Sequence, residues 1–419
     1  MNGKELLAVQ KRMNGITPQR LFVCLMIGLG LFGVFWLCYT RGACMRTVLP
    51  SPEWYFMDFF NHIFYVQEPS NVYDVNFNAC FPPLAYMLYW LLAQMLPADT
   101  VVMDDPSALT SYALLLYVTY YVLLGILLYD SIRRLYTARG GRQNDSLWIT
   151  LFASMSGVFI FSVIWTGNSA LIACILLLRA LELRDKEDRA RKELALILIA
   201  VAAGLKIYPA VFGILYLKER RYKEAGRLIV YGILCFFVPF VFFGGIHGLF
   251  QMLQNQRELH SQVYYGWKSI QSTWNQIDNR FLHLNLQIVG RLLTAMYAIF
   301  AVVGVWLAQD VWKKLFLLCS IMVIVPFWAG SYTPFYLIIP LIYFLTEKRN
   351  HRADYVYAIL FAGIFCFFVW NTPFITKITG DLSFAVRYAS IYCMSLLLMI
   401  ETFYCEIKNR LIHSRTVEL

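Results

Sequence analysis

The chain has 419 residues, of which 59% are hydrophobic and 15% charged, and its mean hydropathy is +0.56. This composition excludes a soluble globular domain and predicts a polytopic, all-α integral membrane protein. The net charge of +10 comes from short basic clusters between long apolar runs, which is typical of membrane topology signals. We therefore expect the lipid bilayer as a partner, and no nucleic acid.

The first predicted span covers residues 21–39 and follows four basic residues, Lys4, Lys11, Arg12 and Arg20. A run of about twenty apolar residues can cross the hydrocarbon core, whereas the apolar part of a signal peptide is shorter and precedes a small-residue cleavage site. Residues 41–44 make a poor cleavage site. The sequence therefore predicts an uncleaved first helix with a cytoplasmic N-terminus.

The next strong apolar run, residues 108–129, is followed by a basic cluster, Arg133, Arg134, Arg139 and Arg142. If the apolar stretch 81–96 also crossed the membrane, this cluster would face outside, against the positive-inside tendency. A short interfacial or re-entrant helix opened by Pro82 and Pro83 keeps the cluster inside. We therefore predict a first outer loop over residues 41–107.

Two short apolar runs, residues 194–205 and 207–217, are each too short for a standard span. They form either a tight helical hairpin or one broken helix. The basic residues of the following segment, 218–227, favour the hairpin, with Lys206 near its outer tip. Further spans are predicted at residues 147–165, 170–183, 228–243, 286–307, 315–329, 335–345, 355–370 and 385–404.

These segments predict a single integral-membrane domain, residues 1–419, with about twelve transmembrane helices and both termini cytoplasmic. A second large outer loop covers residues 244–285. Nine of the 36 lysines and arginines fall in the predicted outer segments and their edges. The remaining basic residues lie in the inner segments, as the positive-inside tendency requires.

The ten cysteines do not indicate a metal site. Seven lie in apolar runs, where cysteine behaves as a small hydrophobic residue, and no CxxC or clustered His and Cys pattern occurs. We therefore predict no metal and no cofactor. Cys44 and Cys80 share the first outer loop, where a disulfide would need an oxidising compartment, and we interpret them as two unpaired thiols.

Asp58 is the predicted catalytic residue. It lies in the stretch WYFMDFFNHIFYV, whose aromatic residues suit an amphipathic helix in the membrane interface. A loop aspartate is most often a solvated carboxylate, but aromatic neighbours would partly desolvate this one and raise its pKa, as a general base requires. His62 follows four residues later and shares its helical face. We interpret His62 as a hydrogen-bonding neighbour at the substrate site and not as a second catalytic group.

Lys206 is the predicted phosphate contact. It lies between two apolar runs in the segment GLKIYPA, together with Tyr208. A lysine in hydrocarbon needs an anionic partner or an aqueous cavity. The alternative is a lysine at a helix end whose ammonium group extends to the water interface.

The second outer loop combines cations with aromatic side chains. Aromatic faces and amides suit sugar rings, and cations suit a phosphate. The alternative is an interfacial aromatic belt. A shorter outer segment, Gly167 to Ser169, is a weaker candidate that a structural turn would also explain. The substrate-binding candidates from these segments are Asn168, Arg257, Lys268, Arg280 and Trp274.

Several short motifs resemble glycosyltransferases of the GT-C superfamily. They are Asp58 with its aromatic run, Phe-Pro-Pro-Leu at residues 81–84, Gly-Asn at 167–168, Lys-Ile-Tyr-Pro at 206–209, QSTWNQ at 271–276 and SYTPFYLIIP at 331–340. In order and spacing they are most similar to family 87, the polyprenol-phosphate-mannose-dependent α-1,2-mannosyltransferases. One departure is Phe81, where the family usually has tyrosine before the double proline.

The resemblance implies an inverting transfer, at the outer face of the plasma membrane, from a polyprenyl-phosphate sugar donor to a glycolipid or cell-surface glycan acceptor. It implies no nucleotide sugar and usually no metal. Asp58 would deprotonate the acceptor hydroxyl, and Lys206 would stabilise the departing lipid phosphate. Two alternatives stay open from the sequence: a flippase or transporter of lipid-linked glycans, and a polysaccharide polymerase.

Overall fold

The computed structural model describes residues 17–44, 56–76, 78–97, 110–164, 166–327, 330–347, 351–366 and 382–417. All regular elements within these ranges are helical. Several predicted features lie partly or wholly outside the described residues: the basic N-terminal segment, the span ends at Trp165 and residues 328–329 and 367–370, and positions 45–55 and 98–109 of the first outer loop.

The α-helices fall into runs separated by short 3₁₀ and π segments. They are α1 (Pro18–Tyr39), α2 (Met57–Tyr65), α3 (Pro83–Ala93), α4 (Ser111–Ala138), α5 (Gln143–Ser154), α6 (Ala170–Leu183), α7 (Arg189–Leu205), α8 (Gly213–Lys218), α9 (Tyr222–Phe237), α10 (Gly245–Ser261), α11 (Ile270–Ile277), α12 (Gln287–Leu307), α13 (Val311–Ile324), α14 (Ile338–Thr346), α15 (Arg352–Phe365) and α16 (Leu382–Val417).

Membrane-spanning helices are present, as the composition predicts. Within the described ranges, five helical segments are long and apolar enough to cross a bilayer: Pro18–Tyr39, Ser111–Ala138, Tyr222–Phe242, Gln287–Leu307 and Phe384–Lys408. Their outward faces carry large exposed apolar side chains such as Leu115, Ile126 and Ile299, a surface that suits lipid and not water. The helical membrane class is confirmed, whereas the count of about twelve spans and the side of each terminus stay predictions.

The hairpin around Lys206 is confirmed by ion pairs at its base. Helix α7 starts just after Arg184 and ends at Leu205, and the chain returns through the 3₁₀ segment Tyr208–Phe212 and α8. Arg184 Nη2 then donates to Glu219, so the two arms begin and end at the same level. A single broken helix would separate these two residues. Lys206 therefore lies at the opposite end of the bundle from Arg184, and we call this the Lys206 end.

The charged stretch around Arg184 closes the base of this hairpin. Arg221 Nη1 donates to Asp185 at 3.1 Å, and Arg184, which is only 5% exposed, pairs with both Asp185 and Glu219. The guanidinium carbons of Arg184 and Arg221 each lie 5.0 Å from the centroid of the Tyr216 ring. Ion pairs that share a partly buried network stabilise more than isolated surface pairs do.

The short helix after the double proline is also present. Helix α3 has 11 residues, with Pro82 as its N-cap and Pro83 in its first turn. At 1.5 Å per residue it is about half as long as the hydrocarbon core is thick. A Cβ on Gly204 would lie 2.8 Å from a methyl group of Leu84, so this glycine lets α3 approach the end of α7. Its place in the interface stays a prediction.

Helix α2 differs from the prediction in what covers its aromatic face. The helix forms over Met57–Tyr65, but Phe59, Phe60 and Ile63 are at most 4% exposed and pack into the protein. An amphipathic pattern predicts a covered apolar face, but it does not distinguish lipid from protein as the cover. The aromatic residues beside Asp58 therefore contact other helices and not the bilayer.

The two predicted outer loops pack against each other. Asn255 of α10 is 2% exposed, and its amide nitrogen donates to the carbonyl oxygens of Tyr73 at 2.8 Å and Ala79 at 2.9 Å. The next residue, Gln256, donates to the carbonyl oxygen of Cys80 at 3.1 Å. Helix α10 therefore holds the segment that leads into the double proline. Cys80 and Cys44 are separate thiols.

Candidate active site

Within the described ranges, one short side-chain hydrogen bond holds Asp58. Asn168 Nδ2 donates to Asp58 Oδ2 at 2.6 Å, although the two residues are 110 positions apart. Asn168 is 1% exposed, and its Oδ1 accepts a hydrogen bond from the backbone nitrogen of Ala170 at 2.9 Å. That second bond orients the amide so that its nitrogen points to the carboxylate. Asn168 thus fixes one carboxylate oxygen of Asp58.

A π-helical turn leads to Asn168. The π-helix Phe159–Ile164 follows α5 and a short connection, and Tyr117 and Tyr121 of α4 donate their hydroxyl groups to the carbonyl oxygens of its last two residues. π-helical turns leave backbone groups that need other partners, and they occur often at functional sites. The tyrosines of α4 supply these partners and so position the Gly167 to Ser169 segment.

Gly167 brings this segment against the helix of Asp58. Its φ is +73°, which glycine adopts readily. A Cβ at this position would lie 2.6 Å from the Cβ of Phe59 and 3.2 Å from its backbone nitrogen. No side chain fits between the two segments. Glycine is therefore needed at position 167 for Asn168 to reach Asp58.

We expect Gly167→Ala to lower the thermal unfolding temperature of the purified protein and to reduce its activity. The backbone conformation alone disfavours alanine by about 1 to 2 kcal/mol, and the clash with Phe59 adds to this. Gly226→Ala is the matched control, because a Cβ there meets nothing within 4 Å. An unfolding temperature that changes equally in both variants would contradict the proposed packing role.

The backbone before Asp58 is strained. Phe56 is the N-cap of α2 with a φ of 58°, in the left-handed region, and its ring centroid lies 4.2 Å from that of Tyr117. A non-glycine residue in this region persists when its surroundings fix it, and such strain clusters at functional sites. The turn places Asp58 in the first turn of α2, where the helix dipole favours a carboxylate.

Lys206 lies over an aromatic ring. It is 3% exposed, and its Nζ lies 3.1 Å from the ring centroid of Phe81 and 5.4 Å from that of Tyr332. Among the residues that the structure describes, no carboxylate forms an ion pair with it. The ring face attracts the ammonium group. Phe81, the residue that departs from the family pattern, therefore provides the surface on which Lys206 rests.

The charged groups of this site are Asp58, Lys206 and Lys268, which come from three separate segments of the chain. Burial raises the pKa of Asp58, while the Asn168 hydrogen bond and the positive charges of Lys206 and Lys268 lower it. Burial lowers the pKa of Lys206 to about 7, and it also lowers the pKa of Lys268, with Asp58 opposing in both cases. The charges of two lysines therefore act on one carboxylate, and an anionic ligand would complete the balance of charge.

His62 lacks the hydrogen bond that the sequence predicts for it within the described ranges, and its place at the substrate site stays a prediction. It is 4% exposed, its ring lies 4.2 Å from Phe81 and 5.0 Å from Tyr89, and neither ring nitrogen has a hydrogen-bond partner in the described ranges. Burial keeps the pKa of His62 well below its usual value. The structure shows no hydrogen bond from His62 to Asp58, and the neutral ring packs against the ring that supports Lys206.

Tyr208, Tyr332 and Cys80 complete the surroundings. Burial raises the pKa of all three, and the Asp58 charge adds to the effect, so these groups stay protonated beside the carboxylate. Tyr208 was a sequence candidate. Sequence reasoning missed Tyr332 and Cys80 as site residues; the only signal for Tyr332 is its place in the late motif at residues 331–340.

The remaining candidates of the second loop are not brought to this cluster. Arg257 and Arg280 are exposed, and neither is among the charges that shift the pKa of Asp58. Trp274 donates its ring nitrogen to the carbonyl oxygen of Leu286 at 2.9 Å and packs against Gly290. Trp274 therefore ties α11 to the start of α12, and its role in binding a substrate stays a prediction.

Comparison with known proteins places the chain in a family. Residues 80–329, more than half of the chain, match the family model described as glycosyltransferase family 87. The matched range contains Asn168, Lys206 and Lys268, whereas Asp58 lies before it. No curated protein matches the chain. On the strength of the family match, the chain belongs to glycosyltransferase family 87.

Proposed function

We propose that the protein transfers a hexose such as mannose from a polyprenyl-phosphate donor to a hydroxyl group of a glycolipid or cell-surface glycan. The observation that carries this proposal is the Asp58 carboxylate, which Asn168 fixes and on which the charges of Lys206 and Lys268 act. Family membership supports the reaction class, and the apolar helices supply a bilayer setting for a lipid-linked donor.

Asp58 is the general base of this reaction. Asn168 occupies Oδ2, which leaves Oδ1 to accept the proton of the acceptor hydroxyl group. As that proton moves, the acceptor oxygen bonds to the anomeric carbon, the bond from this carbon to the phosphate oxygen breaks, and the electron pair leaves on the polyprenyl phosphate. A single displacement of this kind inverts the anomeric carbon. Asp58 then releases its proton to water.

Lys206 and Lys268 bind the phosphate. Each is a cation beside one shared carboxylate, so a phosphate fits the unbalanced positive charge. The Lys206 end would face outward in the plasma membrane, because the opposite end carries the basic cluster of Arg184 and Arg221. The whole chain would act as one membrane domain in which the two outer loops, residues 41–107 and 244–285, enclose the site.

A donor panel tests the proposal. The purified protein would be incubated in lipid nanodiscs with polyprenyl-phosphate mannose, polyprenyl-phosphate glucose, a nucleotide sugar or a lipid-linked oligosaccharide, each with a glycolipid extract as acceptor. We expect transfer from a polyprenyl-phosphate monosaccharide alone. Transfer from the nucleotide sugar would overturn the donor assignment, and transfer of the oligosaccharide would indicate a polymerase.

We expect Asn168→Ala to shift the pH dependence of transfer. The Asn168 hydrogen bond lowers the pKa of Asp58, so its loss raises that pKa further. A base must be deprotonated, and the acid limb of kcat/KM should therefore move to higher pH, with partial recovery of the rate in alkaline buffer. Asn144→Ala, at an exposed position of α5, is the control. An acid limb that stays in place would remove Asn168 from this role.

A further inference from the structure

One buried cation is left unexplained by the site described above. Arg387 of α16 is 3% exposed, and its Nε and Nη2 atoms have no hydrogen-bond partner within the described ranges. A buried charge without a partner is strongly unfavourable. The guanidinium group is therefore expected to gain an anionic partner when a ligand binds.

Arg387 differs in this from the buried arginine at the other end of the bundle. Arg184 is similarly buried at 5% exposure, but Glu219 and Asp185 pair with it. Lower on α16, Glu401 pairs with Lys313 at 2.8 Å. The fold thus pairs these buried or half-buried cations internally, whereas Arg387 has no such carboxylate among the described residues.

The position of Arg387 places it at the Lys206 end. It lies three residues into the candidate span Phe384–Lys408, and further along α16 the Tyr392 hydroxyl contacts Thr273 Oγ1 at 3.0 Å and the Trp267 carbonyl oxygen at 3.5 Å. Trp267 directly precedes Lys268, whose charge acts on Asp58. At 1.5 Å per residue, Arg387 is about 8 Å nearer the N-terminal start of α16 than Tyr392.

Arg387 also faces the interior of the bundle. The residues that follow it at helical spacing, Ile391, Met394 and Leu398, are all 0% exposed. A residue on the same stripe points inward and not toward lipid. Its charge is therefore directed between the helices that surround the Lys206 end.

We propose that Arg387 is a further phosphate-binding residue of this enzyme. Its guanidinium group would bind a phosphate ester through two parallel hydrogen bonds, a geometry that an ammonium group lacks. The phosphate is either that of the lipid-linked donor or that of an acceptor headgroup. The inference rests on the proposed function for its substrates, but binding of a polyprenyl phosphate to Arg387 can be measured without turnover.

The test compares Arg387→Gln and Arg387→Lys with Arg291→Gln, an exposed arginine of α12, in full-length protein in nanodiscs. Equilibrium binding of radiolabelled polyprenyl phosphate and the KM for each substrate would be measured. If the donor phosphate contacts Arg387, Arg387→Gln should weaken polyprenyl-phosphate binding and raise the donor KM by about ten- to hundredfold. If an acceptor phosphate does, only the acceptor KM should rise, with a smaller increase for Arg387→Lys in either case.

Unchanged binding and unchanged KM values in folded Arg387→Gln would overturn the proposal. If that variant fails to fold, Arg387→Lys decides: it keeps the charge but loses the paired geometry, and wild-type values for both substrates would equally overturn it. Binding of polyprenyl phosphate to the wild-type protein without any sugar transfer would count against the proposed function. Loss of that binding in Arg387→Gln would still support the arginine site.

Discussion

Asp58→Asn should abolish sugar transfer while the protein still folds and binds its donor. Asparagine has the shape of aspartate, and its side-chain oxygen can still accept the hydrogen bond from Asn168. It has no basic oxygen to accept the proton of the acceptor hydroxyl group. Loss of a general base typically lowers the rate by about a hundred- to ten-thousand-fold. Single-turnover transfer and donor binding, measured on the same reconstituted sample, separate the two effects.

Asp74→Asn is the matched control for this variant. Asp74 lies in the same predicted loop but is exposed, and it contacts only His247, at 3.3 Å, among its described ion-pair partners. Near-normal transfer is expected from it. Retained turnover in reconstituted Asp58→Asn would remove Asp58 from the catalytic role.

Lys206 should determine the alkaline limb of the pH profile. Burial lowers its pKa to about 7, so in the free enzyme the ammonium form is lost as the pH rises through this value. A phosphate donor binds the charged form, and kcat/KM should fall along the same limb. Lys206→Arg keeps its charge at every accessible pH, and the alkaline limb should then move upward or disappear.

The neutral replacement gives the size of the effect. In Lys206→Ala we expect the donor KM to rise by about ten- to hundredfold, as for the loss of a charged hydrogen bond, with a smaller change in the acceptor KM. Lys223→Ala, at an exposed position of α9, should behave as wild type. A donor KM and an alkaline limb that are both unaffected at Lys206 would exclude it from the phosphate site.

Local patterns in the sequence predicted much of the scaffold. The double proline predicted the start of α3, and the basic residues after position 217 predicted the hairpin that the pairing of Arg184 with Glu219 confirms. These features depend on neighbouring residues in the chain and on membrane topology. Both can be predicted from the periodicity of apolar residues and from the positions of basic residues. Asp58 and Lys206 were singled out because a charged side chain in an apolar or aromatic setting is energetically costly, which indicates a function.

The contacts between distant segments could not be predicted in this way. Asn168 was only a weak substrate-binding candidate in the sequence, because its hydrogen bond to Asp58 depends on a π-helical turn and on Gly167 packing against Phe59. His62 shares a helical face with Asp58 by spacing, but spacing does not reveal that aromatic rings surround its nitrogens. Phe81 was noted only as a departure from the tyrosine of the resembled family, and the sequence did not predict that its ring face supports Lys206.

Following both halves of a doubly labelled donor is the most direct test of sugar transfer by this protein. Polyprenyl-phosphate mannose, labelled separately in the sugar and in the lipid, would be supplied with a glycolipid acceptor to the protein reconstituted in liposomes. We predict that one free polyprenyl phosphate appears for each mannose joined to the acceptor, and that Asp58→Asn stops both together. A donor that crosses the bilayer with its two labels still joined would show movement without transfer, and it would contradict the account.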